Sequence, residues 1–371
     1  IDVTAQAKNF TNGKLLKERP MSLIDKLMKS GSIKHTSILS ESTYFNVKES
    51  APTEIPIINM ALSGQVDGGL TSGLTFLAGE SKSFKTLLGL MMVKAYMKKY
   101  PDSVCLFYDS EFGTTPSYIT ANGIDAERVL HIPIEHLEQL KFDISKRLES
   151  IERGDKVIIF VDSVGNLASK KEVDDALDGK SVADMSRAKV MKSLWRIVTP
   201  NLTTKDIPCV AINHTYQTME LYSKAVMSGG TGGMYSANQV FIITKAQEKD
   251  GSELTGYKFT INIEKSRFVR EKSKFPFTVH WDGGINKWSG LLDVAIEGQF
   301  VIKPSIGWYS KIDPETGEIE DKKYRAKDTN NKDFWLPLLE HENFQNYIKN
   351  RYQVGNQELL RDDVIEEISD Q

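Results

Sequence analysis

The chain has 371 residues, 40% apolar and 26% charged, with a net charge of −3. That length supports a large core with appendages, and the overall charge does not advertise a nucleic-acid binder. No run reaches the roughly 18 apolar residues of a membrane span, and no apolar N-terminal stretch suits secretion. Both cysteines, Cys105 and Cys209, lie inside apolar runs, which predicts buried thiols and a cytoplasmic location.

Residues 1–20 read as an upstream extension that packs poorly. Met21 opens MSLIDKLMKS, where Leu23, Ile24, Leu27 and Met28 recur at helical spacing and predict an amphipathic helix over 22–30. A second helix is expected over Lys34–Lys48, completing a helix-and-linker segment that ends at residue 54. From Ile55 to Leu62 the apolar pattern turns strand-like, and Gly64, Gly68, Gly69 and Gly73 then punctuate the chain. Beyond them, strands and helices alternate. Strands are expected at 74–78, 103–108, 129–134, 157–161 and 209–212, and helices at 87–99, 116–122, 137–151 and 183–198. Further strands at 240–243, 257–263 and 277–281 would close the sheet, in antiparallel sense. Such alternation predicts an α/β core over 55–290, a mostly parallel sheet with helices on both faces. Residues 291–355 read as a small C-terminal α/β appendage with a last helix from Asp333 to Tyr352. Residues 356–371 form an acidic tail able to compete with phosphate for a basic surface.

The strand LTFLA runs into Gly79, Glu80, Ser81, Lys82, Ser83, Phe84, Lys85 and Thr86. This is a phosphate-binding loop with Phe84 where glycine is usual. Its backbone N–H groups would curl around a phosphate chain at a helix N-terminus, Lys85 would meet the β- and γ-phosphates, and Thr86 would offer its hydroxyl to Mg²⁺. In open parallel sheets, ligands sit beyond the carboxyl ends of the strands. There the strand KVIIFVDS delivers Asp162, suited to Mg²⁺. CLFYDSEFG delivers Asp109 and Glu111, with Glu111 the candidate to deprotonate the attacking water and Asp109 its supporting partner. The alternative for both is capping of the following helix. Tyr118 is the candidate to stack on adenine. IPCVAINHTYQ ends in Asn213 and His214, placed to sense a γ-phosphate.

Two long loops hang from these strands, at 168–182 and at 215–233, the second ending in a glycine cluster that includes Gly229 and Gly230. Lys170, Lys171, Lys180, Arg187 and Lys224 are candidates for nucleic-acid phosphates, and Tyr216, Tyr222 and Met227 for stacking or wedging between bases. With no base-reading pattern, contact would be insensitive to sequence.

The motifs LAGESKSFKT, YPDSVCLFYDSEFG, SIERGDKVIIFVDSVGNLASKKE, IPCVAINHTY and NIEKSRFVREKSKF together resemble RecA-family recombinases, most closely those of T-even-type phages. The likeness runs from about Met21 to Gly355. It implies a RecA-like P-loop ATPase core that polymerises on single-stranded DNA with ATP and Mg²⁺ and exchanges strands with double-stranded DNA. It also implies a mediator and a single-strand-binding protein as partners. Position by position, it implies phosphate binding by Gly79–Thr86, water activation by Glu111, Mg²⁺ at Asp162 and sensing at His214, where bacterial members carry Gln. The two long loops match the family's DNA-binding loops. Lys265 and Arg267 match a basic pair that reaches a neighbour's ATP. The helix at 22–30 and the segment Ile55–Met60 would dock on a neighbouring protomer. Two alternatives stay open: a hexameric motor or signalling ATPase on the same core, and a DNA-coating filament in which hydrolysis is incidental.

Overall fold

The computed structural model describes residues 22–33, 36–42, 44, 49–180, 186–219 and 224–355. The expectations for residues 1–20, for Tyr222 and for the acidic tail lie outside these. The chain divides into two units, Ile1–Val47 and Lys48–Gln371.

In the first unit, helix α1 (Leu23–Ser30) starts at a capping box: Ser22 Oγ accepts the Asp25 N–H at 3.2 Å, and Asp25 accepts the Ser22 N–H at 3.1 Å. No residue of α1 is buried, and Leu23, Ile24, Leu27 and Met28 leave an apolar stripe exposed. In the described part of the second expected helix, Leu39–Glu41 form a 3-10 turn in place of an α-helix.

The second unit opens with helix α2 (Pro56–Ser63), where a strand was expected. Every residue from Pro56 to Leu62 is buried, so the apolar pattern carries no period that tells strand from helix. The decisive signals are Pro56 in the first turn and Gly64 at φ 69°, which ends the helix in the left-handed region. Ile55–Met60 thus belongs to this unit's own core, which removes it from the set of docking segments.

Strand β1 (Gly73–Gly79) leads through the phosphate loop into α3 (Lys85–Lys99), followed by β2 (Val104–Asp109), α4 (Pro116–Ala121), β3 (Val129–Pro133), α5 (Leu137–Ser150) and β4 (Val157–Asp162). Next come α6 (Lys170–Leu177), α7 (Ser186–Lys205), β5 (Pro208–Gln217), β6 (Ala225–Met227), α8 (Thr231–Ser236), β7 (Gln239–Asp250), β8 (Glu253–Ser266), β9 (Lys274–His280) and β10 (Gly284–Ile285). The sheet order is β3-β2-β4-β5-β1-β7-β8-β9-β10, with β6 paired on β5. The six strands from β3 to β7 are parallel, and β8, β9 and β10 extend the sheet antiparallel, as expected.

Alternate residues of the central strands feed two separate cores. Leu77, Phe107, Phe160 and Val210 join one with α2 and α3, while Phe76, Tyr108, Val161 and Cys209 join the other with α5 and α7. Both faces are therefore covered, and only the strand ends can present polar groups.

The described residues of both long loops hold regular elements. Ser169 caps α6 inside the first. In the second, β5 runs on to Gln217, pairs with β6 and leads to α8. The C-terminal segment consists of α9 (Leu291–Glu297), the small sheet β11 (Val301–Ser305), β12 (Trp308–Lys311) and β13 (Tyr324–Arg325), then α10 (Lys332–Leu339) and α11 (Glu342–Tyr352). The single last helix expected is two, because His341 caps a fresh start by accepting the Asn343 N–H. Leu291, Trp335, Phe344 and Tyr352 join the core of the α2 and α3 face, so this segment is continuous with it. No helix among the described residues is long and apolar enough to cross a membrane.

Asn59 holds the start of α2. Its Oδ1 accepts from Thr53 N at 2.7 Å and Thr53 Oγ1 at 2.8 Å, and its Nδ2 donates to the carbonyls of Thr53 and Val66 at 3.0 and 3.1 Å. Asn59→Leu strands these buried groups and should cost about 3 kcal/mol in denaturant unfolding. A loss below about 0.5 kcal/mol would contradict that role.

Candidate active site

Register assembles the rim. β1 and β5 pair with Gly79 beside His214, and β2 and β4 pair with Asp109 beside Asp162. The loop from Gly79 to α3 must curl tightly. A Cβ on Gly79 would lie 2.6 Å from both the Ile243 carbonyl oxygen and Ser83 Oγ, so only glycine fits. Lys82 and Phe84 hold left-handed φ values of 59° and 69°. For Phe84 that conformation costs on the order of 1–3 kcal/mol. The ring lies 5.1 Å from Phe259 and 5.6 Å from Phe277, and its burial there offsets the strain.

Lys85 is buried; its Nζ donates to the Glu80 carbonyl at 2.6 Å and to Ser83 Oγ at 3.3 Å. Burial lowers its pKa, while the Glu111 and Asp162 carboxylates act in the opposite sense. Thr86 Oγ1 donates to Asp162 Oδ2 at 2.8 Å. Asp162 Oδ1 is buried with no hydrogen-bond partner. Burial pushes the Asp162 carboxyl up to about 6, against the Thr86 bond and with added repulsion from Glu111 and Asp109. Glu111 Oε1 accepts from Ser163 Oγ at 2.7 Å and Asn166 Nδ2 at 2.9 Å. His214 Nε2 lies 3.5 Å from the same oxygen, and burial followed by the Lys85 charge lowers the imidazole pKa, leaving it neutral at neutral pH.

Lys85, Thr86, Glu111, Tyr118, Asp162 and His214 line one cleft of about 340 Å³ with the phosphate loop. Asp109 and Asn213 stand behind it. Asp109 Oδ1 accepts the N–H groups of Glu111 and Phe112 at 3.0 and 2.8 Å. Asn213 Oδ1 accepts from the His214 N–H at 2.8 Å and Ser228 Oγ at 2.7 Å, and its Nδ2 donates to the Ser228 carbonyl at 3.0 Å.

Lys265 and Arg267 lie elsewhere. Lys265 pairs with Val240, itself beside Phe76 at the middle of β1, so it sits two strands away and roughly 10 Å back along the strand direction from Gly79. Its Nζ donates to the carbonyls of Met234 and Tyr235. Of the nucleic-acid candidates, Lys170, Lys171, Lys180, Tyr216 and Lys224 are exposed, with Lys171 and Lys180 paired to Asp175 and Asp178. Gly229 and Gly230 hold left-handed φ values of 89° and 79° at the start of α8. Two candidates need correction. Met227 is 3% exposed and belongs to the core, not to a stacking surface. Arg187 donates to the carbonyls of Val164, Gly165 and Leu167, so it ties α7 to the turn after β4.

Sequence reasoning missed Ser163, Asn166, His131 and Gly165. Ser163 and Asn166 lie one and four residues after Asp162, a usable signal. His131 Nε2 lies 3.0 Å from Asp109 Oδ2, and nothing in its spacing announces that. A Cβ on Gly165 would lie 2.3 Å from His214 Cδ2, so glycine admits the His214 ring.

The raised Asp162 pKa has a sign that stability measurements can read. The folded chain binds this proton more tightly than the unfolded chain does, so the contribution is fully present below the usual carboxylate value near 4 and is lost as pH rises through about 6. Asp162→Asn should therefore stabilise the nucleotide-free protein at pH 7, by up to roughly 3 kcal/mol, with a smaller gain at pH 4. A gain independent of pH would contradict the buried-carboxylate account.

Two families match this chain. The RecA N-terminal domain covers residues 16–286, and the C-terminal domain of the bacteriophage T4 recombination and repair protein covers 288–348. The chain is 58% identical over 337 residues to the recombination and repair protein of Enterobacteria phage T4, covering 90% of this chain and 86% of that one. It is 25% identical to protein RecA of Ruminococcus albus, covering 92% and 81%, and 27% identical to that of Chlorobium chlorochromatii, covering 66% and 68%. With a RecA-type domain matched over most of its length and a relative this similar, the chain belongs to the RecA family, alongside the T4 recombination and repair protein.

Proposed function

We propose that this chain is an ATP-dependent DNA recombinase that forms filaments on single-stranded DNA and catalyses homologous pairing and strand exchange in recombination, repair and recombination-dependent replication. The observation that carries the reading is the meeting of Lys85, Thr86, Glu111, Asp162 and His214 in one cleft, on strands that continue into the β5–β6 hairpin.

In this reading the loop N–H groups and Lys85 take the phosphates of ATP at the N-terminus of α3, with Tyr118 beside the base. Thr86 and Asp162 hold Mg²⁺, and the partnerless Oδ1 of Asp162 is an oxygen that fits a hard cation. Bound there, the ion offsets phosphate charge. Glu111, oriented by Ser163 and Asn166, accepts the proton of the attacking water. His214, neutral and close to Glu111, feels the γ-phosphate, and Asn213 passes that state to Ser228 and the hairpin.

Lys170, Lys171, Lys180, Tyr216, Tyr222 and Lys224 form the DNA-contacting set, backed by the Gly229 and Gly230 turn. The distance of Lys265 and Arg267 from their own cleft supports their service to a neighbouring copy's ATP, which makes hydrolysis depend on assembly. The exposed stripe of α1 supports docking on that copy. A mediator and a single-strand-binding protein complete the proposed partners, and two free buried thiols suit cytoplasmic action.

Glu111→Gln should keep ATP and DNA binding while DNA-stimulated hydrolysis falls by on the order of 10² or more; near-normal turnover removes Glu111 from the role. His214→Ala should bind ATP but lose the gain in single-strand affinity that ATP confers, read by fluorescence anisotropy. An undiminished gain would end the sensing proposal. Electron microscopy should show helical filaments on single strands, and closed rings would reject the recombinase.

A further inference from the structure

The turn carrying Glu111 is held at two places. Ser163 and Asn166 fix the carboxylate, as described, and Asp109 fixes the backbone. Asp109 is 2% exposed at the end of β2, and the two N–H groups on its Oδ1 shape the turn, including the left-handed Phe112 at φ 55°. A buried carboxylate is steadied in orientation by donors on both oxygens. The partner on the far side, at Oδ2, is His131 Nε2. His131 stands on β3 in register with Phe107, so its ring shares a sheet face with Asp109, two residues further along β2. The ring leans on Phe107 with centroids 5.6 Å apart and remains half exposed.

We infer that His131 is a positioning residue for hydrolysis: it holds the Asp109 carboxylate in the orientation that fixes the Glu111 turn. It is not among the residues that line the cleft and acts through Asp109. β3 is the edge strand of the sheet, so a run of contacts leads from that edge to the general base. Removing the imidazole would free Asp109 to rotate and let Glu111 drift, and small misplacements of a catalytic group cost rate far more than binding. This inference rests on Glu111 being the base.

The test uses the full chain and measures DNA-stimulated ATPase, equilibrium ATP binding and melting temperature for His131→Leu and His131→Gln. Because the side chain is half exposed, leucine should leave the fold intact. The Leu variant is expected to lose kcat by on the order of tenfold or more, with ATP affinity unchanged. The Gln variant keeps an N–H donor for Asp109 and should recover most of that loss. In a Glu111→Gln background, His131→Leu should cause no further loss, because the two act as a unit. Unchanged kcat in the Leu variant overturns the inference while leaving the Glu111 assignment standing. Equal losses in both variants, tracking a fall in melting temperature, would reduce His131 to a stabilising role. Near-normal turnover in Glu111→Gln alone would overturn both.

Discussion

Strand register is the constraint on which the site depends. Four adjacent parallel strands, β1, β5, β4 and β2, run in register to the cleft, where Gly79 pairs with His214 and Asp162 with Asp109, so that these four residues share a rim while β5 continues past it. The strands themselves have no freedom to present these groups elsewhere, because their alternate residues are committed to two buried cores. A slip of one residue between β4 and β5 would turn an apolar side chain toward the cleft and bury a carboxylate in the core. The chemistry is thus specified by apolar packing several residues below it.

The rim concentrates charge where water is scarce. Glu111 and Asp109 both repel the Asp162 charge, and Lys85, close to Asp162 and Glu111, tempers this. That arrangement is costly for the nucleotide-free protein and suited to a ligand that brings its own cation and polyanion together. Partial neutralisation from either side relieves a different half of the imbalance.

How much of this was readable from the chain depends on where local chemistry and tertiary context coincide. The phosphate loop, the strand-terminal carboxylates and the β–α alternation carry their physics in a short window. The α2 helix does not: wholly buried, it lacks a polar face, and only Pro56 and Gly64 mark it as helical. Met227 and Arg187 were misjudged for a related reason. Met227 beside a glycine cluster and Arg187 early in an expected helix look available, yet the β5–β6 hairpin turns one into the core, and the turn after β4 offers the other three carbonyls. His131 needed the β2–β3 register before it meant anything. Ser163 and Asn166 sat in plain view beside Asp162, but their target, Glu111, comes from another strand.

Phe84 carries a last consequence. Its ring is wedged against Phe259, and Phe259 shares the strand β8 with Lys265, six positions further along. Between the two, β8 steps out of register with β7 at Ile263–Lys265, a bulge that bends the strand. Glycine at position 84 would relieve the left-handed strain of the loop but leave a void against Phe259 and Phe277.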